Sequence, residues 1–195
     1  GPGQFIQPNA LCISHDDQFI FVTDASLNRI QKFDLGGNYI SDWGSPGAGD
    51  ESFNQPSGIA SDRDGFLYIA DQNNHRIKKY DSNGKLIGWW GSYDVGAQSF
   101  WLDPGSNRTG ALSDADGAFD TPTDVSVDEE GNVFVADSNN FRIQKFLKNQ
   151  SENENAGFQT DIYIGENITA VGNDKFAHVY CISSGKRILR FEPEP

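Results

Sequence analysis

Short apolar runs of four to six residues, each closed off by Gly, Asp, Asn or Ser, set the pattern of the chain. The clearest are Phe19-Ile20-Phe21-Val22-Thr23-Asp24, Phe66-Leu67-Tyr68-Ile69-Ala70-Asp71 and Val133-Phe134-Val135-Ala136-Asp137. They are rich in β-branched and aromatic residues and too short and turn-bounded for helices, so they predict strands. No segment calls for a helix. Turns such as Ser61-Asp62-Arg63-Asp64-Gly65 and Asp128-Glu129-Glu130-Gly131-Asn132 fall where one strand must reverse into the next. There Gly supplies the positive φ and Asp or Asn caps the turn.

The runs recur as a set. Phe5-Ile6-Gln7-Pro8 returns as Phe53-Asn54-Gln55-Pro56 and Phe119-Asp120-Thr121-Pro122. After each comes a first apolar run, a turn, and a second run ending in Asp24, Asp71 or Asp137; five residues later stands Arg29-Ile30, Arg76-Ile77 or Arg142-Ile143. A last run ends in Trp43-Gly44 or Trp90-Gly91, and Arg29, Arg76, Arg142 and Arg187 follow one another at 47, 66 and 45 residues. A unit of ~45 residues with four short strands is one blade of a β-propeller. The expected fold is all-β: one propeller domain over residues 1–195, built of four-stranded antiparallel blades. The blades fall at about 1–44, 47–91 and 116–164, with a partial fourth at about 165–195 and an insertion at about 92–113. In the fourth copy Ile182 occupies the place of the aspartates, so the Asp–Arg pair is missing there.

Asp71-Gln72-Asn73-Asn74-His75-Arg76-Ile77 resembles the NHL repeat signature, Asp137-Ser138-Asn139-Asn140-Phe141-Arg142-Ile143 nearly as closely, and Asp24-Ala25-Ser26-Leu27-Asn28-Arg29-Ile30 more loosely. On these residues the chain resembles the NHL-repeat β-propeller family from Gly1 to about Phe191, apart from the insertion and the stretch near Lys148 to Ala156. The resemblance implies a six-bladed disc of about 270 residues, of which this sequence holds roughly four blades. The alternative is a closed four-bladed ring that brings the blades of Cys12 and Cys181 together. Both cysteines stand in strand-like surroundings and read as buried free thiols, with a single bridge as the other reading.

A net charge of −13 with no basic stripe excludes nucleic acid as a partner. No stretch approaches the ~20 apolar residues of a membrane helix, so no membrane insertion is expected. The acidity reads first as a device for solubility. Sequons at Asn107, Asn149 and Asn167, against about two expected by chance, point to an extracellular or cell-surface location.

Recurrence in three blades assigns the pairs Asp24 and Arg29, Asp71 and Arg76, and Asp137 and Arg142 to blade geometry, as charge-assisted hydrogen bonds across a turn. Asn9, Ser57 and Thr123, directly after the inner-strand prolines, should line a central channel together with Asp124. They form either a cation or solute site or a merely hydrated lining. The related peptidyl-α-hydroxyglycine α-amidating lyases hold a central zinc with three histidines, two of them just after those prolines. The matching residues here are Asn9, Ser57 and Thr123, with Asn167 the nearest equivalent in the last copy, and none is His. Only His75 falls where that family has a ligand; His15 sits in a turn and His178 in a strand of different register. No cofactor is therefore expected; calcium or zinc is the lesser alternative, with His75 the one metal candidate. Asp114-Ala115-Asp116-Gly117 lacks the spacing and terminal Glu of an EF-hand.

Trp89, Trp90, Tyr93, Phe100 and Trp101 cluster at the insertion. Tyr93, Phe100 and Trp101 are the expected contacts for a protein or glycan partner. Otherwise Trp89 and Trp90 belong to an outer strand and Trp101 caps the neighbouring blade. The expected function is a protein-interaction or ligand-recognition module, extracellular or on the cell surface. The alternative is a metal-dependent propeller enzyme resembling the amidating lyases, with its metal ligands in blades outside this sequence.

Overall fold

The computed structural model describes residues 1–91, 101–102, 115–148, 155–176 and 178–192. Blade 1 consists of β1 (Pro8–Ile13), β2 (Phe19–Asp24), β3 (Arg29–Asp34) and β4 (Tyr39–Trp43). Blade 2 has β5 (Pro56–Ser61), β6 (Leu67–Asp71), β7 (Arg76–Tyr80), β8 (Leu86–Trp90) and a short fifth strand, β9 (Trp101–Leu102). Blade 3 is β10 (Pro122–Val127), β11 (Val133–Asp137), β12 (Arg142–Lys148) and β13 (Asn155–Tyr163); blade 4 is β14 (Ile168–Asn173), β15 (Val179–Ser183) and β16 (Ile188–Phe191). Each blade is an antiparallel meander in sequence order. The chain is a four-bladed arc of a β-propeller.

Two details depart from the sequence expectation. Gln72–Asn74 and Ser138–Asn140 form single 3-10 turns inside the signature, each followed by a left-handed residue, His75 or Phe141. In blade 4, Ile168 pairs with Ser183, as Pro8, Pro56 and Pro122 pair with Asp24, Asp71 and Asp137. The counterpart of the aspartates is thus Ser183, not Ile182. The turn before Arg187 is one residue shorter than in the other blades, so counting five back lands on the wrong face of the strand.

The inner strands pack side by side, β1 on β5, β5 on β10 and β10 on β14, but β14 does not pack back on β1 to a similar extent. A closed four-bladed ring is therefore not formed. Both cysteines are free. Cys12 packs against the core between blades 1 and 2 and Cys181 belongs to the core between blades 3 and 4. Apolar side chains from facing blades fill each junction: Phe21 and Ile30 meet Ile59, Ile69 and Tyr80; Tyr68 and Ile77 meet Val125, Val135 and Phe146; Phe134 and Ile143 meet Val171 and Cys181. A sheet buried on both faces has no room for the polar alternation of an exposed one, which is why these strands read as apolar throughout. Lysines at one repeated position, Lys32 and Lys79, lie over the rings of Phe19 and Phe66 at 3.7 and 4.2 Å, so charge is carried through the stack by cation–π contact.

Each blade begins with a lead-in segment, with no strand of its own, that crosses to the inner strand. In blade 2 Asp71 accepts the Asn54 amide through Oδ1 at 2.8 Å and Arg76 Nε through Oδ2 at 2.7 Å; the Arg76 Nη2 then reaches the carbonyls of Gly49 and Ser52. Blade 3 repeats this with Asp137, Arg142, the Asp120 amide and the carbonyls of Ala115 and Ala118. Lys78, two residues beyond Arg76, donates to the Asp50 and Ser52 carbonyls; Gln144 in the same place donates to Ala118 O. The Trp-Gly ends pass over the lead-in phenylalanines so closely that a Cβ on Gly44 would come within 2.8 Å of the Phe53 ring, and one on Gly91 within 2.9 Å of Phe119. Both glycines also have positive φ, +107° and +132°.

Blade 1 keeps the clamp but not the pair. Asp24 accepts the Ile6 and Gln7 amides, while Arg29 bonds to Asp42 and to the carbonyls of Gly1 and Gln4; Asp24 and Arg29 do not bond to each other. Asn74 and Asn140, which fix the aspartate Oδ2 in blades 2 and 3, are replaced by Leu27, and the carboxylate turns to backbone amides instead. In blade 4, Arg187 pairs with Glu166. Arg76→Ala should then cost about 3–5 kcal/mol by leaving the buried Asp71 unpaired. Arg29→Ala should cost only about 1 kcal/mol, because Asp42 is partly exposed. Urea denaturation of the two variants measures the difference; equal losses would contradict this division.

Candidate functional site

The four inner strands converge on a cavity of about 310 Å³ lined by Asn9 and Ala10 from β1, Ser57 and Gly58 from β5, Thr123 and Asp124 from β10, and Thr169 and Ala170 from β14, with Gln72 at its side. The structure thus brings Asn9, Ser57, Thr123 and Asp124 together. Their chemistry differs from a ring of equivalent polar groups. Thr123 Oγ1 donates to Ile168 O at 2.8 Å and Ser57 Oγ lies 3.4 Å from Pro122 O, so both hydroxyls tie an inner strand to its neighbour. Thr169 is the residue of the fourth blade that matches them; Asn167, two positions earlier, donates its amide to Asn139 Oδ1.

Asp124 is the distinctive group. Its counterparts in the other blades are Ala10, Gly58 and Ala170. Its Oδ2 accepts the Val171 amide of blade 4 at 2.9 Å. A Cβ on Gly58 would collide with its Oδ1 and come 2.5 Å from its Cα, so the glycine makes room for the carboxylate. Burial pushes the carboxyl up to about 6, against the opposing pull of the Val171 and Val125 amides. A carboxyl raised by burial and lining a cavity makes Asp124 the candidate group of the channel.

His75 is engaged elsewhere. The Thr121 amide donates to its Nδ1 at 3.0 Å. A neutral imidazole has one lone pair, so Nε2 carries the proton and no lone pair remains for a metal. The contact ties His75 to the next blade, and the same role is filled in blade 1 by Asn28, whose Oδ1 accepts the Gln55 amide at 2.8 Å. In both cases a left-handed residue of one blade holds the residue before the next inner-strand proline. This clasp lies in the signature itself, four residues after the aspartate, and the local spacing does not show that it reaches the next blade. Among the described residues no group of three or more His, Cys, Asp or Glu side chains is placed to hold a metal. His15 lines a second cavity of about 250 Å³ with Arg63, Glu129, Lys175 and the turn aspartates Asp62, Asp128 and Asp174. His178 sits between Asp174 and Arg190, at 2.9 and 2.7 Å.

Of the aromatic cluster, Trp89 and Trp90 are buried in β8. Trp101 lies in β9, with Trp90 and Trp101 as register partners, so its backbone belongs to the blade and not to a free loop. Tyr93, Phe100, Asn107, Asn149 and Asp114 lie outside the described residues. Asp116 and its neighbours form the lead-in of blade 3, where Arg142 lies 3.8 Å from the Asp116 carboxylate.

Residues 2–100 match the family model described as the SMP-30/gluconolactonase/LRE-like region, and residues 119–146 match the NHL repeat. No curated protein sequence matches the chain. Among solved structures it is similar to the RRP9 WD40 repeats, with a TM-score of 0.65 and 11% identity over 97% of this chain and 52% of that one. The WD40 β-propeller domain of Doa1 gives 0.61 and 12%, over 94% and 49%. A catalytically inactive virginiamycin B lyase from Staphylococcus aureus, solved with quinupristin, gives 0.55 and 14%, over 95% and 55%. At these identities the likeness is one of fold, and the chain spans about half the length of each.

The carboxyl of Asp124 stands higher in the fold than the 3.8 of an unperturbed Asp, so its ionisation opposes folding. That cost is absent below about pH 4 and grows as pH rises through about 6. Asp124→Asn keeps an acceptor for the Val171 amide and removes the charge. It should be more stable than the parent at pH 8, by up to about 3 kcal/mol, and lose that advantage below pH 4. Thermal melts across this range measure it, and no gain at pH 8 would contradict burial as the cause.

Proposed function

Because the chain belongs to the SMP-30/gluconolactonase/LRE-like family of β-propellers, with an NHL repeat in its third blade, we propose that it is a recognition module that binds a small cationic or polar solute at its channel. The observation that carries this reading is the placement of Asp124 in a cavity to which all four inner strands contribute. A single carboxylate beside amide and hydroxyl groups suits an ammonium-bearing molecule better than a tightly held divalent metal, which needs several anionic or carbonyl oxygens. The cavity size fits a ligand of a few heavy atoms, at the lower end of small-molecule sites. The exposed amide of Asn9, across the channel, supplies a second polar contact. The extracellular or surface location expected from the sequons belongs to the same proposal, as does a protein or glycan partner at the insertion. The metal-dependent enzyme reading has less support, since the residues after the inner-strand prolines carry no imidazole and His75 has no free lone pair.

Titration calorimetry with ethylammonium chloride, and separately with calcium chloride, tests the reading. Ethylammonium should bind with an affinity on the order of millimolar, near the limit for so small a ligand. Binding should weaken at least tenfold in Asp124→Asn, and should fade between pH 7 and pH 5 as a proton takes the place of the cation. Absence of heat with ethylammonium, tighter binding of calcium than of ethylammonium, or binding untouched by Asp124→Asn would refute it.

A further inference from the structure

The hydroxyls of the cavity wall share one orientation, because each gives its proton to the backbone. Ser57 Oγ lies 3.4 Å from Pro122 O and 3.5 Å from Ala70 O; Thr123 Oγ1 is 2.8 Å from Ile168 O, and Thr169 Oγ1 is 3.2 Å from Ile182 O. A carbonyl has no proton to give, so in each contact the hydroxyl is the donor. A hydroxyl holds one proton and two lone pairs, and here only lone pairs are left for the cavity. Asp124, once ionised, adds a carboxylate that can only accept. Its Oδ2 already takes the Val171 amide, and no Lys, Arg or His lines the cavity to meet its charge. Side-chain donors on this wall are confined to the amides of Asn9 and Gln72. None of the lining residues is aromatic.

Building on the cation site read from Asp124, we propose that the channel selects its ligand by the number of N–H bonds it carries. It takes a primary ammonium group and rejects a fully methylated one. A primary ammonium has three N–H donors, one for the Asp124 carboxylate and two for hydroxyl oxygens of the wall. Each N-methyl group removes a donor and sets a methyl against an oxygen that has lost water and gained no partner. A quaternary ammonium keeps its charge, but such ions are held by aromatic faces, and this wall offers none. The orientation of the hydroxyls is fixed by the fold. Ser57 and Thr123 each reach the first residue of the next blade's inner strand, Pro122 and Ile168. Bonds that tie neighbouring blades together therefore also set what the wall accepts.

Titration calorimetry with the chlorides of ethylammonium, ethyldimethylammonium and ethyltrimethylammonium tests it. The ions share one charge and carry three, one and no N–H bonds. Affinity should fall in that order, with the quaternary ion at least about tenfold weaker than the primary one. Thr123→Val keeps the shape of the side chain and removes the hydroxyl. It should weaken ethylammonium about tenfold and leave ethyltrimethylammonium unchanged, while Thr123→Ser should restore the original order. Thr169→Val, at an exposed position, repeats the test without touching a bond between blades. If ethylammonium gives no heat, the cation site fails and this selection with it. If all the ions bind alike and all are weakened by Asp124→Asn, the cation site stands and the selection is overturned. A preference left intact by both valine variants overturns it as well.

Discussion

The lead-in segment of each blade is the point on which the propeller depends. Its backbone pairing is sparse, in blade 2 an isolated bridge between Pro46 and Phe53, yet it must carry the chain from the outer edge of one blade to the inner strand of the next. Its Asn54 or Asp120 amide is paired by the aspartate that closes the second strand, and its Gly49 or Ala115 carbonyl by the arginine that opens the third. Asp71 with Arg76 and Asp137 with Arg142 hold the segment from both sides, while being wholly buried themselves. A buried ion pair is a weak source of stability when set against an apolar replacement. Here its worth is geometric: two charges organise a stretch of chain that has little sheet pairing.

The strands and their grouping were legible in the sequence because the spacing of Pro, Asp, Arg-Ile and Trp-Gly records the geometry of one blade. What was misread follows from contacts that cross between blades or from single-residue changes in turns. Asp24 and Arg29 stand at the same spacing as the true pairs, but Leu27 replaces the asparagine that steers the carboxylate, and the pair opens. Ser183 was missed because the turn before Arg187 is shorter by one residue. Ser57 and Thr123 lie beside the cavity, yet a hydroxyl on an inner strand has a neighbouring carbonyl within reach, and sequence alone does not show which way it donates. His75 invited a metal reading because its partner, the Thr121 amide, is 46 residues away.

The channel owes its character to what the inner strands leave out. Ala10, Gly58 and Ala170 keep the lumen open, and Gly58 in particular allows β5 and β10 to approach around the carboxylate of Asp124. That carboxylate is held by an amide of blade 4, the copy that least resembles the repeat. The degraded blade is therefore part of the candidate site: its third strand and turn have drifted, but its inner strand still presents the Val171 amide to Asp124.

The clasp made by Asn28 and His75 has a mechanical consequence. Each belongs to one blade and grips the start of the next, so a lead-in segment is shared property: its last amide, of Gln55 or Thr121, answers to the blade behind it, while the amide before that and the carbonyls reached by arginine answer to the blade ahead. Blades joined in this way are not beads that open one at a time without notice to their neighbours. Loosening the signature turn of blade 2 frees its own lead-in, held by Asp71 and Arg76 and shared with blade 1, together with the residue that His75 holds at the start of blade 3. A propeller of this construction should therefore behave as a row of coupled units, in which cooperativity is transmitted by single side chains at each step.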